Sequence, residues 1–127
     1  MGGETERYLV SRTFTQSEFD AFARLSGDDN PIHVDPGYSA QARFGRPVAH
    51  GMWLFSALAA HLGDLFPGEA LNEIDLMFPG PTYADEPMEI EVTVTDRVTG
   101  STSVSLEIRN PAGEPTCTGS ATIGTLA

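Results

Sequence analysis

The chain has no lysine: its seven basic side chains are all arginine, set against eighteen aspartates and glutamates. The net charge of −11 excludes nucleic acid as a partner, because binding to a phosphate backbone rests on a surplus of cations. The same balance disfavours a polyanionic ligand except where the few cations are grouped. Arg43 and Arg46 are the closest such pair in sequence. They are candidates for holding an anionic tail, or else ordinary surface partners of nearby carboxylates. Cysteine is almost absent as well, and a lone Cys117 excludes an internal disulfide and any CxxC metal pair. No apolar run is long enough for a bilayer, since the stretch from Gly51 to Phe66 is short and carries His61 and Asp64. The start, Met1-Gly2-Gly3-Glu4-Thr5-Glu6, is polar and acidic where a secretory signal is basic and then apolar. A cytoplasmic protein without a membrane segment is expected. Repeats, low-complexity tracts and linkers are missing too, so the 127 residues form one domain, 1–127, able to bury roughly two-thirds of its unfolded surface.

What is present is a set of clear periodicities. Tyr8 to Phe14 predicts a first strand, and Gln16 to Leu25 an amphipathic helix with Phe19, Phe22, Ala23 and Leu25 on its apolar side, capped by Thr15 or Ser17. From Ser26 to Pro36, Gly, Asp, Asn and two prolines predict a loop without regular structure. Gly37 to Phe44 predicts a further short helix closed by Gly45. Between Met52 and Phe66 apolar residues surround the helical axis, so this helix should be buried on nearly all sides. Downstream, Ile74, Leu76 and Phe78 alternate with more polar positions, as do Met88, Ile90, Val92 and Val94, then Val104, Leu106 and Ile108, then Cys117, Ala121 and Ile123. That is the period of a sheet with one dry face. Turns at Thr99-Gly100 and Asn110-Pro111-Ala112-Gly113 make these four strands an antiparallel meander, with a central helix of about 24 Å lying in its curve. The fold class is α+β in the hot-dog arrangement. One sheet cannot cover the helix and also hide its own edges, so a homodimer is expected, the alternative being a monomer with a charged edge.

The chemistry concentrates in Ser26-Gly27-Asp28-Asp29-Asn30-Pro31-Ile32-His33 and in Ala49-His50-Gly51. Asp28 and His33 are five residues apart, too far for one helical face, but a turn at Asn30-Pro31 can point both inward to hold a single water. The alternative is a loop-capping Asp28 and a satisfied buried His33. Asn30 can bond within its own turn. Gly51 opens the apolar helix, where unpaired N–H groups and the helix dipole favour an anion, although a glycine also eases a tight turn. His50 is either a third catalytic group or a ring bonded to backbone that shapes this turn. His61 suits packing or a dimer contact. The three histidines form no HExxH or comparable motif, and no metal is expected. Trp53, Leu54 and Phe55 line an acyl channel or belong to the core.

In these segments the chain resembles the MaoC-like (R)-specific enoyl-CoA hydratases, the hydratase 2 group of hot-dog proteins. Asp35-Pro36, Tyr38, Phe44-Gly45, Arg46-Pro47, Met52 and Phe78-Pro79-Gly80-Pro81 through Asp85 extend the match over most of its length. The resemblance implies reversible syn hydration of a trans-2-enoyl thioester to an (R)-3-hydroxyacyl thioester. It gives Asp28 and His33 the acid/base work, with Asp28 as principal base and His33 positioning the water, and Gly51 the thioester oxygen. Substrate contacts are expected from Asn30, Arg43, Arg46, His50, Met52 and Trp53. No cofactor is implied beyond coenzyme A as part of the substrate, with an acyl-carrier-protein thioester as the alternative carrier. Ala59 stands where some relatives have a pocket-facing serine, and Ala84 where a glycine often precedes the matching aspartate. Competing expectations are a hot-dog thioesterase and a non-catalytic acyl-binding subunit.

Overall fold

Residues 6–125 are described in a computed structural model. The chain runs β1 (Arg7–Thr13), α1 (Gln16–Ser26), α2 (Pro31–Val34), α3 (Pro36–Ser39), α4 (Gly51–Leu65), β2 (Ala70–Met77), β3 (Pro87–Val98), β4 (Ser101–Arg109) and β5 (Pro115–Gly124). Thr15 caps α1 by accepting from the Glu18 N–H, and Gly27, left-handed at φ 82°, ends it by donating to the Ala23 carbonyl. The alternation read in the sequence becomes the inner face of the sheet: Met88, Ile90 and Val92, Val104, Leu106 and Ile108, and Cys117, Ala121 and Ile123 are all buried. Leu54, Leu58 and Leu62 of α4 close the same core, one turn apart along the helix.

All strand pairs are antiparallel, in the order β1-β3-β4-β5-β2. This corrects the four-strand meander: β3, β4 and β5 form one, but β2 pairs with β5 at the opposite edge from β1. The connection from β2 to β3 is too long for a tight hairpin and carries Pro79 and Pro81, so it crosses the end of the sheet, where Tyr83 forms a bridge with Val48. Where β5 meets β2, the backbones close on Gly119, and a Cβ there would strike the Asp75 carbonyl.

Three further expectations are corrected. The Ser26–Pro36 segment is not wholly irregular and Gly37–Phe44 is not one helix, because α2 and α3 each form a single turn. Each opens with proline at its first position, where the missing N–H costs nothing, and each is capped by a carboxylate or amide just before it, Asn30 to the Ile32 N–H and Asp35 to the Tyr38 N–H. The central helix, in turn, is buried on one face rather than nearly all sides. Met52, Ser56 and Ala60, spaced at four, are exposed in the single chain, because the sheet curls around only the Leu54–Leu58–Leu62 side.

Candidate active site

Helix α2 delivers His33 into the interior beside Val48, and the two segments are tied in both directions. The Val48 N–H donates to the Ile32 carbonyl at 3.0 Å, and the Val48 carbonyl lies 2.7 Å from His33 Nδ1. A carbonyl only accepts, so Nδ1 carries the proton and Nε2 of the neutral ring is left with its lone pair. Ser39, buried, adds its hydroxyl to the Pro31 and Ile32 carbonyls at 3.4 and 3.3 Å and helps to pin the same turn.

The free nitrogen faces Asp28. His33 Nε2 and Asp28 Oδ2 are 3.9 Å apart, too far for a direct hydrogen bond. A water roughly 2.8 Å from each can donate one hydrogen to Nε2 and the other to the carboxylate. The aspartate side chain is 56% exposed and that of the histidine 11%, so the pair joins solvent to the interior. Gly27 turns the chain so that Asp28 leaves the end of α1, and the Asp28 N–H donates to Ser26 Oγ at 3.1 Å.

His50 completes the cluster. Its Nε2 is 2.9 Å from the Asp28 main-chain oxygen, and its ring stacks on that of His33 with centroids 3.8 Å apart and planes at 23°. Burial pushes the His50 pKa down, and the neighbouring His33 adds to that, while its bond to the Asp28 carbonyl acts the other way. Asp28, His33 and His50 offer donor atoms within 4.8 Å of one another. A metal must lie about 2.0–2.1 Å from each nitrogen and close to both ring planes, which face-to-face stacking does not allow. His33 Nδ1 and His50 Nε2 are in any case turned to carbonyls.

A cavity of about 430 Å³ opens beside His33, lined also by Arg43, Gly51, Leu54, Phe78 and Thr82. Gly51 is the first residue of α4, and no side chain caps this helix. Its first-turn N–H groups are those an α-helix leaves without internal partners. The Phe78 ring packs 3.3 Å from the place a Gly51 Cβ would take, so any side chain here would press on the cavity wall.

The remaining expected contacts are distributed differently. Arg43 lines the cavity, its guanidinium 5.2 Å over the Phe44 ring, and makes no ion pair among the described residues. Arg46 does not line it; it pairs with Glu86 at 3.0 Å and lies 4.2 Å over Tyr83. Met52 is exposed, and Trp53 sits beside Phe22 with ring centroids 5.7 Å apart, so neither reaches this cavity. Asn30 is an exposed helix cap, and His50 lies behind the wall rather than in it. His61, half-buried, lines a separate groove with Trp53, Val10 and Ile90, and burial lowers its pKa. Cys117 is buried in β5, where burial pushes its thiol up to about 11, and it is no nucleophile. The Val48 carbonyl, Ser39 and the cavity-lining Thr82 are features of the site that sequence reasoning did not single out. A main-chain oxygen has no side-chain signature, and the Thr82 hydroxyl is turned away to Thr116 at 2.9 Å.

A model of the MaoC like domain matches residues 3–114. The chain is similar to an (R)-specific enoyl-CoA hydratase of Aeromonas caviae, 37% identical over 92 residues that make up 71% of this chain and 69% of that protein. It is also similar to a 3-hydroxybutyryl-CoA dehydratase of Methylorubrum extorquens, 29% identical over 92 residues, of which it spans 59% of the length. The solved structure of an (R)-hydratase from A. caviae superposes with a TM-score of 0.88 at 30% identity, covering 95% of both chains. The antiparallel sheet around one long helix is the hot-dog fold of these neighbours.

Proposed function

The chain belongs to the MaoC-like family, and on that premise we propose that it catalyses the reversible hydration of trans-2-enoyl-CoA to (R)-3-hydroxyacyl-CoA, a hydro-lyase reaction. The observation that carries this reading is the 3.9 Å gap between His33 Nε2 and Asp28 Oδ2, with His33 itself lining a cavity that Gly51 also lines. Hydration needs one water placed between a base and the β-carbon. Nε2, the lone-pair nitrogen of the neutral tautomer whose Nδ1–H the Val48 carbonyl accepts, orients that water, and Asp28 takes its proton as the oxygen bonds to the β-carbon. The carbon–carbon π electrons move toward the thioester, and negative charge gathers on the thioester oxygen. The Gly51 N–H, at the positive end of α4, stabilises that charge. The α-carbon then takes a proton from the same pair on the same face, so hydrogen and hydroxyl add syn and the protein ends unchanged. Dehydration is the same path in reverse.

Arg43 is the cation available for the phosphates of coenzyme A, and Arg46 is already matched by Glu86. Arg43 can meet the phosphates of a small ligand entering the cavity, whereas docking an acyl carrier protein, usually acidic, needs a broader cationic patch on a chain of net charge −11, so coenzyme A is the carrier in this reading. No cofactor takes part beyond the coenzyme A of the substrate. A second copy of the chain covers the exposed Met52 side of α4, together with Met77 and Phe78 near the cavity, giving a homodimer. No described helix is long and apolar enough to cross a membrane, and the cytoplasm is the proposed compartment.

The test is a paired assay on crotonyl-CoA. Loss of the conjugated enoyl absorbance, without thiol release and with (R)-3-hydroxybutyryl-CoA as product, is the expected result. Thiol release with the enoyl absorbance unchanged would make the protein a thioesterase, and an (S) product would remove the proposed facial arrangement.

A further inference from the structure

His50 stands between the two members of the pair and outside the cavity. It is 2% exposed, and its surroundings are the Asp28 main chain, the His33 ring, and the edge-on rings of Phe22 at 4.9 Å and Phe19 at 6.5 Å from α1. A carbonyl acceptor at 2.9 Å fixes the proton on Nε2, so Nδ1 of the neutral ring is bare, buried and without a partner among the described residues. Charging the ring would put a second N–H into that apolar site and a cation against His33, opposed by the Asp28 carboxylate. Burial and the His33 ring both disfavour a charge on His50.

The other hydrogen bonds of Asp28 remain inside its own loop, to Ser26 Oγ at 3.1 Å and from the Asn30 N–H at 3.5 Å. The His50 bond is what ties Asp28 to the segment that leads into α4. That same ring is the flat surface against which His33 rests. We propose that His50 is a positioning residue for the hydration reaction, holding the Asp28 backbone through Nε2–H and the His33 ring through stacking, and so setting the separation of the two proton-transfer groups. This rests on the hydratase reading above. Proton transfer to one shared water is steep in distance, and a misplacement of about 1 Å costs on the order of 10²-fold in rate.

Two substitutions separate the contributions. His50→Phe keeps a flat ring against His33 and removes the unpartnered nitrogen, but has no donor for the Asp28 carbonyl. His50→Gln places an amide N–H at about the reach of Nε2 without the ring. His50→Phe is expected to lose roughly 10- to 100-fold in kcat with KM changed less than about 3-fold, and to melt close to wild type, since the unpartnered Nδ1 is gone while the part-buried Asp28 carbonyl loses its donor. His50→Gln is expected to recover most of that rate. A merely structural His50 would give the opposite result, a lower Tm in His50→Phe with wild-type kcat. Wild-type kcat in His50→Phe overturns the proposal, whereas a His50→Gln as slow as His50→Phe supports it and gives the stacked ring a weight equal to that of the Nε2–H bond. Asp28→Asn in the same preparation tells the two failures apart. If it is inactive while His50→Phe is fully active, only the positioning role falls. If Asp28→Asn is itself active, the acid/base reading falls with it.

Discussion

Replacing Asp28 by asparagine removes a charge and a base while keeping the shape of the side chain, and the structure sets how much each loss should cost. The side chain is 56% exposed, and its one bond, from the Asn30 N–H, is long at 3.5 Å. An asparagine oxygen can accept the same bond, so folding should change by no more than about 0.5 kcal/mol, the range of surface substitutions. The catalytic loss is of another order. The amide cannot take a proton from the water that His33 Nε2 orients, and loss of a proton-transfer group costs about 10²- to 10⁴-fold in turnover, or about 3 to 5 kcal/mol of barrier. Initial rates of enoyl absorbance loss with crotonyl-CoA measure the catalytic loss, and urea unfolding measures the change in stability. A variant that keeps kcat within about 3-fold of wild type would refute the assignment of Asp28 as base. A variant that unfolds easily would instead show that the loop bond was undervalued.

Three other outcomes follow from particular contacts. Arg43→Gln should raise KM for a coenzyme A thioester about 10-fold, the order of one charge-assisted hydrogen bond, whereas Arg46→Gln, losing only its exposed pair with Glu86, should leave KM nearly unchanged; equal effects would break the distinction drawn from the cavity lining. Gly119→Ala should destabilise the fold by about 1–3 kcal/mol in urea unfolding, because its Cβ meets the Asp75 carbonyl, a backbone atom that cannot swing aside, and unchanged stability would contradict the close approach of β5 and β2. His50 and His61 are both held below the ordinary value of 6.5 chiefly by burial, so the unfolded chain binds protons that the folded chain refuses. Their effect on stability is nil well above pH 6.5 and grows as pH falls toward and below it, so unfolding free energy should drop between about pH 7 and pH 5.5, and less so in a His50→Phe, His61→Phe double variant. Stability that rises on acidification through this window would reverse the sign of the argument.

Much of the fold was legible because the strands β3, β4 and β5 carry their burial in their own period. Met88, Ile90 and Val92 point one way whatever lies next to them, and the turns at Gly100 and Gly113, both at positive φ, fix how one strand returns to the next. The order of strands is a different kind of information. Nothing in the alternation of Ile74 and Leu76 says which neighbour β2 takes, and β5 was selected by the length and prolines of the crossing segment after it. The two short helices were missed because proline and asparagine were weighed as breakers, although Asn30-Pro31 and Asp35-Pro36 are also the chemistry of a helix start. The open side of α4 was invisible for a further reason. Apolar residues around a whole helix do not say how much of it the sheet of its own chain reaches, and that sheet leaves Met52 and Ala60 uncovered.

The site divides along the same line, between what side chains carry and what the backbone arranges. Asp28, His33 and Gly51 were named from residue types and spacing, and His33 and Gly51 line the cavity with Asp28 3.9 Å from the His33 ring. What makes the pair usable is a main-chain oxygen: without the Val48 carbonyl, His33 could carry its proton on Nε2 and would then donate toward the water rather than accept from it. The two arginines show the same limit. Arg43 and Arg46 are equivalent by charge and neighbourhood, but Gly45, at φ 78°, reverses the chain between them, leaving one against the cavity and the other over Tyr83. A residue with a Cβ at position 45 would strain that reversal, so the selection between two identical guanidinium groups rests on a residue that has no side chain to contribute.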